Sequence, residues 1–168
     1  MEKPEEISSY LSTIKPYKVP QDILAIAQQM YPENNRYVIT ATQTDKSIEA
    51  DIFVAALLGI DRQLGYVPAT TISAIVSQLS AVALWCKLRD LFDEPKYIFN
   101  QMIDRETVGF KRENHIYKNH MPLETTIHAS IRITHTRRLN NSIIAHEIIE
   151  LGSYNKSDIL GYAIFPDS

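Results

Sequence analysis

The sequence predicts an α+β fold in which one antiparallel sheet wraps around a single long, central apolar helix. Three observations carry this. Residues from about Thr71 to Phe92 form a helical stretch whose first four turns are almost wholly apolar. Ile127, Ala129, Ile131 and Ile133 alternate with His128, Ser130, Arg132 and Thr134, the two-residue period of a half-buried strand. The order is short helix, two strands, long helix, then a series of strands joined by turns, which implies antiparallel pairing. A helix apolar on all sides must be covered on all sides. A sheet curled around it satisfies both the helix and the sheet's own inner face.

The 168 residues fit one domain, residues 21–168, preceded by an arm over residues 1–20 that contains Pro4, Pro16 and Pro20. Apolar residues make up 45% and charged residues 22%, ordinary for a globular chain able to bury a core without staples. The net charge is −3 and no basic stripe exists, so nucleic acid is not an expected partner. Lys111-Arg112 and Arg137-Arg138 read as solvated turn charges. The one cysteine, Cys86, sits in an apolar run and reads as a buried structural thiol in a reducing compartment. The acidic start, Met1 to Glu6, is not a secretory signal. The apolar run from Ile72 to Cys86 is too short for a membrane span and holds Ser73, Ser77, Gln78 and Ser80. A cytoplasmic protein without a membrane span is the expectation.

Along the chain, Gln21 to Met30 carries apolar residues at Ile23, Leu24, Ile26 and Ala27, a short amphipathic helix stopped by Tyr31-Pro32. Residues 36–56 read as a hairpin turning at Thr44 to Ser47. Residues 57–69 are a loop containing Gly59, Gly65 and Pro68, with Thr70 and Thr71 offering an N-cap. The long helix becomes charged at Lys87, Arg89 and Asp90, and Pro95 closes it. Tyr97 to Met102 and Val108 to Arg112 are expected strand pieces, and Asn114 to Pro122 a loop. Strands follow at Ile127 to Thr134, Ser142 to Leu151 and Asp158 to Phe165.

Gly65-Tyr66-Val67-Pro68 before an apolar helix resembles the Gly-His-Phe-Pro segment of hot-dog hydroxyacyl-ACP dehydratases. A stretch from Arg36-Tyr37-Val38-Ile39 through Phe53, Ile60, Arg62, Gly65 and Gln78-Leu79 is similar to the FcoT-like long-chain acyl thioesterases. The resemblance implies a hot-dog fold, a homodimer or higher oligomer, and a substrate presented as a thioester on acyl carrier protein or CoA. Its relatives also include proteins acting on acyl-ACP in lipopeptide pathways, which allows amine addition to an unsaturated acyl-ACP. No cofactor is expected beyond the phosphopantetheine that carries the substrate. The dehydratase histidine and acid correspond to Tyr66 and Ser80, neither of which has a pKa suited to moving a proton from carbon near neutral pH. Residues 72–88 hold no acid to direct water. The polar positions of the FcoT-like set fall on Ile60, Pro68 and Ser77; a loop tyrosine of that set corresponds to Tyr31 only with a shifted alignment.

The expected function is therefore action on a fatty acyl thioester, most simply hydrolysis. The carbonyl is polarised at the central helix's N-terminus by Gly65 and the amides of about residues 66–72. The alternative is that this loop is ordinary punctuation before a helix. Tyr66 offers a hydrogen bond to a carbonyl, or is a packed aromatic. Ser77 and Gln78 orient water or an acyl carbonyl, or bond the helix and neighbouring strands. Arg62 meets a phosphate of the carrier, or is a surface arginine. Pro68, Ile72, Val76 and Leu79 are expected beside an apolar tunnel. His115 and His120 flank a loop and offer a base to a neighbouring subunit. No metal-ligand spacing occurs among the histidines and the cysteine. A module that holds an acyl chain or stabilises a partner without turnover remains the rival reading.

Overall fold

The computed structural model describes residues 15–56 and 65–166. The strands are β1 (Tyr17–Lys18), β2 (Val38–Gln43), β3 (Ile48–Phe53), β4 (Val108–Tyr117), β5 (Thr126–Leu139), β6 (Ser142–Leu151) and β7 (Asn155–Ile164). The helices are α1 (Gln21–Ala27), α2 (Ala69–Leu91) and α3 (Pro95–Asp104). All seven strands join one sheet in the order β1-β2-β3-β5-β6-β7-β4, with every pair antiparallel.

The sheet curls around α2 because its inner rows are apolar. Ile48, Ala50 and Ile52 on β3 and Ile127, Ala129 and Ile131 on β5 are buried, while the residues between them reach solvent. Against these rows α2 buries Ile75, Val76, Leu79, Val82, Ala83 and Leu88 completely. The helix is long and apolar enough to cross a bilayer by length and composition, but 56% of that apolar window is buried inside the protein. Burying a Leu or Ile side chain contributes ~1.5–3 kcal/mol, so this one helix accounts for much of the core's drive to form. Cys86 is buried beside it, and burial pushes its thiol up to about 12, far from nucleophilic use.

Several boundaries differ from expectation. The arm is anchored at its end: Tyr17 and Lys18 pair with Gln43 and Thr42, and Val19 is buried. Residues 97–102 are helical, not a strand. Pro95 opens α3 at its first turn instead of only closing α2, and Phe99, Met102 and Ile103 bury one helical face. Asn114 to Tyr117 continue β4 rather than forming a loop. In β4 the register shifts between Phe110 and Arg112 opposite β7.

Candidate functional site

On α2, Ser73, Ser77, Ser80 and Leu84 recur at helical spacing and share one face. This face is turned toward the β6-β7-β4 half of the sheet. An apolar cavity of about 200 Å³ opens there. Ser77, Ser80, Ala81 and Leu84 form its helix wall; Phe110, Ala145 and Ile143 face them from the sheet; Ala27, Tyr31 and Ile103 close its end. Gly161 on β7 leaves the space: a Cβ there would stand 3.8 Å from Ser80 Oγ.

One carboxyl stands in this wall. Glu147 falls on the inner face of β6, in a row with Ile143, Ile149 and Leu151, and is 4% exposed. Ser80 Oγ donates to its Oε2 at 2.6 Å. Among the described residues its Oε1 accepts no hydrogen bond and no cation pairs with it. Burial pushes the carboxyl up to about 7, opposed by the Ser80 hydrogen bond. A buried, unpaired acid lining a cavity is a functional-site candidate on physical grounds.

Toward the start of α2 the same face meets a polar network. Ser73 Oγ donates to Glu113 Oε1 at 2.7 Å and lies 3.2 Å from His115 Nε2. Glu113 Oε1 and His115 Nε2 are 2.5 Å apart. Behind the ring, His115 Nδ1 is 2.7 Å from Ser157 Oγ, whose own hydrogen goes to Asn155 Oδ1 at 2.7 Å. Ser157 and Asn155 are fully buried. With its hydrogen committed, Ser157 Oγ accepts from Nδ1–H. Nε2 is thus the nitrogen that faces Glu113 and Ser73.

A second groove, about 270 Å³, lies at the N-terminus of α2 between Tyr66, Ala69 and Ile72 on one side and Tyr117, Lys118 and His120 on the other. Gly65 turns the chain into it with φ +70, a left-handed conformation suited to glycine. Tyr66 bridges to Pro122, and its ring meets His120 edge-on with centroids 4.3 Å apart. The Val67 amide is spent on Met121 O, and those of Thr71 and Ile72 return to Pro68 O. Among the described residues this leaves Ala69 and Thr70 as the helix's unpartnered backbone donors, a narrower set than residues 66–72.

The expected site residues therefore divide. Tyr66 and Ile72 border the N-terminal groove and Gly65 precedes it with its positive φ, while Tyr31 and Ser77 line the apolar cavity. Val76 and Leu79 do not line it; both are fully buried in the core. Pro68 is the N-cap residue. Gln78 is not directed at a ligand: its Oε1 accepts from Tyr37 N at 2.9 Å and its Nε2 donates to Asn35 O at 2.7 Å, pinning the entry to β2. Arg62 lies outside the described residues. Sequence reasoning missed Glu147 and Glu113, and named His115 only as a base offered to a neighbouring subunit. The signal for Glu147 was the two-residue period of β6, which puts it among Ile143, Ala145, Ile149 and Leu151. No group of histidine, cysteine, aspartate and glutamate suited to a metal occurs among the described residues.

No family model and no curated protein matches the chain. Solved structures do. A protein of Shewanella oneidensis related to the thioesterase superfamily superposes with a TM-score of 0.55 at 13% identity, over 85% of this chain and 93% of that one. A hypothetical thioesterase of Streptococcus pneumoniae, crystallised with coenzyme A, gives 0.46 at 8% identity, over 74% and 83%. With an antiparallel seven-stranded sheet enclosing one long apolar helix, and with the Shewanella structure superposing on it, the protein has the hot-dog fold.

Proposed function

We propose that the protein hydrolyses fatty acyl thioesters carried on CoA or acyl carrier protein. The observation that carries this reading is the apolar cavity on the serine face of α2, the helix whose N-terminus offers two amides unpartnered among the described residues. The alkyl chain occupies the cavity. The thioester carbonyl lies at Ala69 and Thr70, whose N–H groups stabilise the oxyanion that forms when water adds. Ser73 sits about one helical turn further on, so the Glu113–His115 pair is placed to take the proton from that water. The C–S bond then breaks and the carrier thiolate leaves, taking up a proton. Tyr66 borders the carbonyl; Tyr31 and Ser77 contact the chain rather than the reacting atoms. Arg62 is assigned to a carrier phosphate.

The edge strand β4, whose outer side pairs with no strand among the described residues and whose Ile116 and Tyr117 are about half exposed, supports a homodimer built by edge pairing. The test is a panel of acyl-CoA and acyl-ACP thioesters followed by released thiol. Hydrolysis is expected for medium and long chains, with kcat lowered ~100–10,000-fold in His115→Gln. No thiol release above background at any chain length overturns the reading; bound acyl species without turnover would identify a holding module instead.

A further inference from the structure

We propose that the apolar cavity is built for an acyl chain bearing a hydroxyl well along its length, recognised by Glu147 and Ser80. This rests on the acyl-thioester reading and names the substrate class within it. The placement follows from the helix. Ser80 lies ten residues beyond Thr70, which at 1.5 Å per residue puts it about 15 Å from the unpartnered amides. Glu147 is therefore too far from a carbonyl at Thr70 to act on it, and what it meets is the chain. An extended chain reaches that level after roughly twelve C–C bonds, each advancing it by about 1.25 Å.

Glu147 has one hydrogen bond, from Ser80, and lines an otherwise largely apolar chamber. An unsubstituted chain would press CH₂ groups against its second oxygen and leave that oxygen without a partner. A hydroxyl repairs this. It is neutral, and it both donates and accepts, so it matches the carboxyl whether that group is protonated or ionised. An ammonium at the same place would have to give up its hydration entirely inside an apolar chamber, a much larger cost. Sites built to hydrogen-bond a buried hydroxyl reject the analogue lacking it more strongly than apolar sites reject a missing methylene.

The experiment compares octadecanoyl-CoA with hydroxyoctadecanoyl-CoA isomers whose hydroxyl is stepped from near the carbonyl toward the chain end. The wild-type protein is expected to favour one mid-chain isomer over the unsubstituted chain by on the order of 10- to 100-fold in kcat/KM. Glu147→Leu is expected to abolish or invert that preference. In parallel, native mass spectrometry ranks binding of the corresponding free acids, which needs no turnover. Mid-chain hydroxy acids binding best with no thiol released would sink the hydrolase reading and leave this inference standing. Hydrolysis or binding with no preference at any hydroxyl position, or a preference that survives Glu147→Leu, overturns it. The wild-type comparison alone decides if that variant fails to fold.

Discussion

Replacing Glu147 by Gln is predicted to stabilise the protein increasingly as pH rises. The carboxyl has an ordinary value of 4.5 and is pushed up to about 7 in the folded chain by burial. Between those values the unfolded chain releases a proton that the folded chain keeps, so unfolding is favoured progressively with rising pH. A gap of about 2.5 pH units at 1.36 kcal/mol each amounts to about 3 kcal/mol, fully present above pH ~7 and absent below pH ~4.5. The amide in Glu147→Gln does not titrate and still accepts from Ser80. The variant should therefore match the wild type near pH 4.5 and exceed it by about 3 kcal/mol near pH 8. Urea unfolding followed by the fluorescence of Trp85, buried against Phe99, measures this. With a urea slope of ~2 kcal/mol/M the midpoint should rise by about 1.5 M at the higher pH. Other titrating groups are common to both proteins and cancel in the difference. A difference that is flat with pH, or that shrinks as pH rises, would refute the assignment of Glu147 as a strained buried acid.

Three further outcomes follow from the packing. Gly161→Ala should narrow the chamber without a clash, since a Cβ there meets only ordinary contacts of 3.8–3.9 Å; Tm should change little while affinity for a fluorescent fatty acyl probe drops by about 3- to 10-fold. Gln78→Leu removes both side-chain bonds to Tyr37 N and Asn35 O, so about 3 kcal/mol of stability and roughly 6–12 °C of Tm should be lost in a thermal melt. Cys86 should not react with an aromatic disulfide reagent at pH 8 in the native state and should titrate as one thiol in denaturant; rapid native labelling would contradict its burial.

The large features were legible because they rest on periodicity over long windows. The central helix lies within two residues of its expected ends, and β6 spans the expected Ser142–Leu151. What was misread was local. Tyr97, Ile98 and Phe99 are strand-favouring types, yet Pro95 at N1 and the spacing of Phe99, Met102 and Ile103 prevailed once tertiary contacts could bury that face. Asn114 to Tyr117 looked like a loop because β4 is an edge strand whose residues stay largely exposed. The site was harder still. Residues 72–88 hold no acid to direct water, and the carboxyl that lines the chamber, Glu147, arrives from 67 residues away in sequence to meet Ser80. Long-range pairings of that kind leave no local pattern, although the phase of β6 contained this one.

The register shift in β4 has a structural consequence of its own. Side chains along a strand alternate between faces, so Val108 and Phe110 in the chamber wall would ordinarily be followed inward by Arg112 and Asn114. Because the ladder skips Lys111, parity reverses, and Glu113 and His115 point inward opposite Ile159 and Ser157 while Arg112 swings out to Asp158. With one supernumerary residue in its middle, a single strand furnishes grease at one end and a glutamate–histidine pair at the other. Deleting Lys111 would remove the bulge yet keep both faces, because Phe110 and Arg112 would become neighbours and Glu113 and His115 would stay inward.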